Sequence, residues 1–337
     1  MTTPSTPPAV PPQARFFQWV QGWASLMLCH ALVKTGVFEQ MAAGPRTVAE
    51  LAAACRLHGP TLFRALRMTT ALEITARDGD RYALTALGRA LLKDTPGSLH
   101  NGLLMMGTDA YQRPWQNFAY TLATGESAFT HVMGAPFFDY LEQHPELGIP
   151  FQQAQAAYSM MDSPLAAAYD FTPFRTVCDV GGGTGVFLKR ILEATPHLRG
   201  ILIDMPGVTA NHVLGGLGDR VEVIAGSFFE HVPSADLLIL KAVLHDWSDE
   251  KCAVILARCR EALPPDGRLL IIDRLLAEPF DAISLFYDLH MLQQIGGRER
   301  TEAEMRSLLA DAGLQMRRVI VPTGSPMFPL RLVEASL

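Results

Sequence analysis

The stretch VCDVGGGTGVFLKRILEATP, Val177 to Pro196, decides the fold. Val177, Cys178 and Val180 form a short apolar run of strand length. Gly181, Gly183 and Gly185 punctuate a turn, after which Phe187, Leu188, Ile191 and Leu192 recur at three- and four-residue spacing. This is strand, glycine-rich turn and helix in direct succession. Glycines let a backbone turn sharply and come close to a ligand, and the amides that open the following helix face whatever binds there. The spacing is G-x-G-x-G, with Val186 where the dinucleotide pattern has its last glycine. A ligand presenting one nucleoside and an amino-acid moiety fits it better than one presenting a pyrophosphate. Such a turn can also do no more than pack a helix on a strand, but Asp179 ahead of it and Asp204 behind it speak for a ligand. No G-x-x-x-x-G-K-[ST] occurs, so phosphoryl transfer is not indicated.

Outward from this stretch the same alternation continues. TVCDV, RGILIDM, VEVIA, DLLIL and RLLIIDR are short β-rich runs separated by helical stretches. They predict a parallel sheet covered on both faces, a doubly wound α/β domain. MRRVIVP and FPLRLVEA, separated by TGSP, predict an antiparallel hairpin at the sheet edge. Thr301-x-x-Glu304 predicts a capped helix running to Gly313. Ligands of open α/β sheets gather beyond the carboxyl ends of the strands, and Asp204, Phe228, Lys241 and His245 all fall at or near such ends.

Before this half the pattern is helical. Residues 1–13, MTTPSTPPAVPPQ, hold five prolines and no charge, the composition of a disordered extension rather than a signal peptide. FFQWVQGWASLMLCHALVKTGVFEQM reads as helix closing near Gly44 and Pro45, and Thr47-x-x-Glu50 as a capping box. Gly59-Pro60 is expected to separate two short helices, and Asp78-Gly79 to turn a hairpin. Helix, helix, hairpin is a winged-helix plan. It is read either as a DNA-binding module, with Arg64 and Arg67 reaching phosphates, or as a packing and dimerisation module. The expected boundaries are a winged-helix-like domain over 14–100, a helical linker over 101–165 and the α/β domain over 166–337.

Composition narrows the function. The chain has 337 residues, 49% hydrophobic and 18% charged, with a net charge of −6. That describes a globular enzyme with no basic field for nucleic acid or an anionic membrane surface. No apolar run approaches the roughly 18 residues of a membrane span. Five cysteines without C-x-x-C spacing point to free thiols in a reducing cytoplasm.

One stretch needs more than a fold to explain it. DLLILKAVLHDWSDE, Asp236 to Glu250, runs an apolar strand into His245 and three carboxylates. Ser248 can cap the next helix with Asp249 and Glu250 in its first turn, which accounts for two acids but not for the imidazole. DVGGGTG, LIDMPGV, GSFFEHVPSADLLILKAVLHDWSDE and GGRERTEAEMRSLLADAGL together resemble the caffeic-acid-type O-methyltransferases and their bacterial natural-product relatives. The resemblance implies a Rossmann-like methyltransferase sheet and an N-terminal dimerisation domain. It also implies S-adenosylmethionine as cofactor, S-adenosylhomocysteine as product, and no metal.

On that resemblance His245 is the general base, since an imidazole of unperturbed pKa about 6.5 is often free base near neutrality. Asp273 and Glu299 would orient it, although a solvated surface position for Glu299 stays open. Gly181 and Gly183 would form the glycine loop, Asp204 would hold the ribose, and Met205 and Phe228 would flank the adenine. Lys241 would lie near the adenosine and Ser159 near the carboxylate end. Ser227 departs from the family, where many relatives carry an acid that bonds the adenine amino group. Phe151, Tyr158, Met161, Asp246, Asp288 and Met291 are candidates for the acceptor pocket, with ordinary core packing as the alternative. Trp19 and Trp23 are expected to enter a partner subunit of a homodimer. The implied acceptor is a small aromatic hydroxyl compound of secondary metabolism. Transfer to nitrogen, a non-methylating relative that hydroxylates or decarboxylates, and a DNA-binding regulator remain alternatives.

Overall fold

The computed structural model describes residues 11–160, 163–323 and 330–337, so Met161 and the TGSP turn beyond Thr323 lie outside the described residues. The chain forms two compact units that divide after Thr108.

In the first unit the long helical stretch is two helices, Pro12–Lys34 and Val37–Gln40, not one. The Thr35 amide closes the first by donating to the Ala31 carbonyl, and the Gly36 amide donates to that of Val33. Gly36, at φ 75°, then turns the chain out of the helical path. Pro12 opens the first helix, where its missing amide proton costs nothing, so helix begins inside the proline-rich segment. The same logic places the second break: two helices, Val48–Cys55 and Gly59–Ala71, part here as expected, with Gly59 and Pro60 opening the second. The Thr47–Glu50 capping box forms in full and is worth on the order of 1 kcal/mol to helix Val48–Cys55. Strands β1 (Arg46–Thr47), β2 (Thr75–Asp78) and β3 (Arg81–Leu84) make a small antiparallel sheet in the order β1-β3-β2. Leu51, Leu62, Leu66 and Tyr82 close the core of this unit.

The second unit carries the sheet. Its strands are β4 (Thr176–Val180), β5 (Arg199–Asp204), β6 (Val221–Ala225), β7 (Leu237–Lys241), β8 (Arg268–Leu276), β9 (Arg300–Thr301), β10 (Gln315–Ile320) and β11 (Leu330–Ser336). Their order is β10-β11-β8-β7-β4-β5-β6, with β9 adding to the end of β8. Strands β4 to β8 pair in parallel, and β11 pairs antiparallel with both β8 and β10. The terminal hairpin is therefore at the edge as expected, with β11 the inner strand.

Alternation explains the unbroken apolar runs. Cys178, Val180, Leu238, Leu240, Leu269 and Ile271 face one side, against Ile255, Leu256 and Cys259 of helix Asp249–Ala262. Val177, Leu237, Ile239, Leu270 and Ile272 face the other, against Leu188, Ile191 and Leu192 of helix Val186–Ala194. Both faces of a parallel sheet are buried, so neither residue parity is free to be polar. Among the described residues, no helix is long and apolar enough to cross a membrane.

Candidate active site

The parallel strands deliver their carboxyl ends to one edge of the sheet, and the expected residues meet there. Gly181, Gly183 and Gly185 take positive φ angles of 69°, 62° and 80°. A Cβ at Gly181 would lie 3.2 Å from the Phe228 ring, whereas one at Gly183 would meet nothing within 4 Å. The turn thus packs against Phe228 on one side and leaves its middle open. The Asp204 carboxylate accepts the Gly183 amide at 2.8 Å and the Met205 amide at 2.7 Å, which ties the end of β5 to the loop. Burial raises the Asp204 carboxyl above the usual range, and the two amides pull it back. The Lys241 ammonium donates to the Ser159 hydroxyl at 3.1 Å, so these two residues share one corner. Ser227 uses its hydroxyl oxygen locally, accepting the Phe229 amide at 3.3 Å. Beneath the turn Asp179 is buried, and neither of its carboxylate oxygens meets a partner among the described residues. Burial pushes its carboxyl up to about 7, against the nearby Lys241 cation.

Beyond β7 the chain makes a single 3-10 turn, Leu244–Asp246, that presents His245. His245 Nδ1 donates to Glu299 Oε1 at 3.2 Å and lies 4.0 Å from Asp273 Oδ1. Nε2 points the other way, 3.5 Å from Asp246 Oδ1. Glu299 is 1% exposed, which removes the solvated alternative, and Asp273 is equally buried. Burial opposes charge on the imidazole, but Glu299, Asp246 and Asp273 outweigh it and push His245 up to about 10. Three carboxylates surround the ring, so its basicity stands above that of an ordinary imidazole. Burial in turn lifts Asp273 to about 7 and Asp246 to about 6, while Glu299 is held below its ordinary value by His245 and Arg274 despite burial.

Two arginines that the sequence analysis passed over complete the cluster. Arg274, next to Asp273, donates to Glu299 Oε1 at 2.5 Å and lies 4.0 Å over the Tyr287 ring. A buried cation within an apolar strand such as LIIDR was the available signal. Arg300 donates to the carbonyls of Leu244 and Trp247, both at 2.9 Å, and pairs with Asp249 at 2.7 Å. The Arg298 amide donates to the His245 carbonyl, and a Cβ at Gly297 would lie 2.0 Å from that oxygen. The turn bearing His245 is thus held through its backbone. Ser248 caps the following helix as expected.

The acceptor candidates divide. Asp246 faces His245. Asp288 accepts the Glu299 amide at 2.9 Å, and Met291 lends its carbonyl to Gly296 and Gly297, so both buttress the cluster. Tyr158 is close enough to Tyr287 for its phenol to be pushed up, first by burial and then by that neighbour. Phe151 packs against Phe137 in a small satellite core with Phe129 and Leu141. Met161 lies outside the described residues. A further aromatic wall, unread in the sequence, consists of Tyr111, Trp115, Phe286 and His290, whose rings stand 5.2–6.1 Å apart. Among the described residues, no cluster of three or more His, Cys, Asp or Glu side chains is arranged to hold a metal ion.

The pattern of the O-methyltransferase domain matches residues 115–315. The chain is 37% identical over 345 aligned positions to the phenazine O-methyltransferase of Lysobacter antibioticus, covering 99% of both proteins. This chain belongs to the O-methyltransferase family. Two solved structures show what relatives of this methyltransferase hold. A methyltransferase of calicheamicin biosynthesis, bound to S-adenosylhomocysteine, superposes with a TM-score of 0.83 at 34% identity over 96% of this chain and 97% of that one. An O-methyltransferase of neocarzinostatin biosynthesis, bound to S-adenosylmethionine and 2-hydroxy-5-methyl naphthoic acid, gives 0.76 at 33% identity over 93% and 96%. The methyltransferase uses S-adenosylmethionine. Its own residues fit that cofactor: the glycine turn is open at Gly183, Asp204 is anchored with lone pairs to spare, and Lys241, Ser159 and Phe228 border the same edge.

Proposed function

We propose that His245 is the general base for methyl transfer to a hydroxyl of a small aromatic natural product, with Glu299 and Asp273 fixing its orientation. The observation that carries this is the division of the imidazole: Nδ1 is committed to buried Glu299, and Nε2 lies on the opposite side of the ring, 3.5 Å from Asp246. Gly181, Gly183 and Asp204 would hold the adenosyl end, with Met205, Ser227 and Phe228 beside the adenine and Lys241 and Ser159 toward the amino-acid end. When bound, S-adenosylmethionine supplies a sulfonium methyl open to in-line displacement.

The raised basicity of His245 sets how the proton is handled. A phenol has a pKa near 10, about that of this imidazole, so proton transfer between them is nearly balanced. A neutral phenol beside neutral histidine and a phenolate beside imidazolium contain the same number of protons. The three carboxylates favour the second arrangement, in which His245 holds the proton at Nε2 and steadies the nucleophilic oxygen. Asp246 limits the space there, and Tyr158 and Met291 would border the ring of the acceptor.

A homodimer accords with the exposed aromatic face of helix Pro12–Lys34, where Phe17, Trp19 and Trp23 are 67%, 73% and 61% exposed. The free cysteines accord with a cytoplasmic enzyme. The first test is labelled-methyl transfer to a panel of phenols, catechols and hydroxyquinones. His245→Ala should lower the rate by about a hundredfold or more while cofactor binding persists. Transfer retained within a few-fold would transfer the role from the base to positioning alone.

A further inference from the structure

Helix Ala282–Ile295 carries more toward the site than the residues already described. It packs against the His245 turn and gives Asp288 to the Glu299 amide and Tyr287 to Arg274. Between these and its end stands His290, whose ring lies 5.2 Å from Tyr111 and is stacked near Trp115 and Phe286.

Its tautomer follows from a chain of hydrogen bonds anchored on the backbone. The Ala110 carbonyl can only accept, so Gln294 must turn its amide NH2 toward it, at 3.0 Å. The Gln294 side-chain oxygen then faces Gln293, which must present its own NH2, at 3.1 Å. That same NH2 meets His290 Nδ1 at 3.2 Å, so Nδ1 is the acceptor and the ring proton sits on Nε2. Gln293 is fully buried, which leaves it little freedom to reverse this arrangement. Burial and the His245 charge lower His290 to about 4, so the ring stays neutral throughout the physiological range. Among the described residues no hydrogen bond is made by Nε2, the nitrogen opposite the one that Gln293 holds.

We propose that His290 is a specificity-determining residue: a fixed, uncharged N–H donor, set in the aromatic wall, that bonds a second polar atom of the acceptor. The acceptors selected are planar rings that bear a carbonyl oxygen or a ring nitrogen in addition to the hydroxyl that is methylated. A neutral donor among aromatic rings suits such an atom better than a carboxylate, which would need a cation. The Gln293–Gln294 chain makes the donor specific, since a histidine free to exchange tautomers would serve an N–H or O–H group equally well. The inference rests on the O-methyltransferase reading and goes beyond it.

The test uses matched acceptors, a hydroxyquinone or hydroxyphenazine against the hydroxylated all-carbon ring of the same size. Dissociation constants are read from tryptophan fluorescence with S-adenosylhomocysteine bound, and methyl transfer is followed alongside. Wild type should favour the carbonyl- or nitrogen-bearing member by about tenfold, the worth of one hydrogen bond and its otherwise unpaired donor. His290→Phe keeps a flat ring, should abolish the preference and should leave the all-carbon acceptor within about twofold. Gln293→Leu keeps the imidazole but unpins its tautomer, and should reduce the preference by a smaller factor. Equal preference in wild type and His290→Phe, or no preference in wild type, overturns the proposal. Should either substitution fail to fold, the other still decides it. A binding preference that follows His290 without methyl transfer to either acceptor supports the recognition role and overturns the proposed reaction instead.

Discussion

At the residue scale, the proposed role of His245 makes its protonation the source of the pH dependence. The productive pair holds one proton between the acceptor and the imidazole. Below the acceptor's own pKa both groups are protonated, and the rate should fall tenfold per pH unit. Above about 10 His245 loses its proton, and a phenolate would then sit uncompensated among Asp246, Asp273 and Glu299. For a series of ring-substituted phenols more acidic than His245, the acid limb of kcat/KM should therefore move with the acceptor. The alkaline limb should stay near 10 and disappear in His245→Asn. An acid limb fixed between about 6 and 7 for every acceptor would instead mean an imidazole of ordinary basicity. The sequence made His245 conspicuous because an adjoining helix cap explains Asp249 and Glu250 and leaves the ring unexplained. It did not reveal the shift, since Asp273 and Glu299 reach the ring from other segments.

At the scale of elements, the turn that bears His245 is held through its main chain, while Glu299 orients the ring itself. The segment from Gly296 to Arg300 threads against the Leu244–Asp246 turn, with the Gly297 backbone touching the His245 carbonyl. Gly297→Ala would drive a methyl group to 2.0 Å from that oxygen, so the turn must shift. The expected outcome is a folded protein with kcat lowered by about a hundredfold and cofactor affinity little changed, measured by single-turnover kinetics and calorimetry. Unchanged kcat would mean that the turn absorbs the displacement. Local signals were readable here: the Thr47 and Thr301 capping boxes, the glycine turn and the strand runs all lie within short windows. Where a helix breaks was less readable, because Gly36 and the Gly59-Pro60 pair each admit both a stop and a start. The grip of Arg300 on Leu244 and Trp247 spans 56 and 53 residues, beyond any periodic pattern.

At the scale of the whole molecule, the order of strands and the resemblance carried by the glycine turn and the LHDW and GGRER segments were sufficient to bring the glycine turn, Asp204 and His245 to the same edge of the sheet. The aromatic wall was not legible, since Tyr111 and Trp115 meet His290 only through tertiary packing. Oligomeric state follows from surface rather than motif. Trp19→Ser with Trp23→Ser should shift the protein toward monomer in sedimentation velocity while the melting temperature changes little, because both side chains are exposed in the single chain. A dimer of undiminished affinity would assign that face to something other than self-association. Arg300 grips carbonyl oxygens, which every amino acid supplies alike. Sequence drift at positions 244 and 247 is thus invisible to the latch, whereas any drift at 297 or 300 is not. In a directed-evolution library the aromatic wall can be diversified at 111, 115 and 286, and at 290 to change acceptor preference, while Asp288, which holds the Glu299 amide, and the five-residue segment 296–300 should be carried over intact.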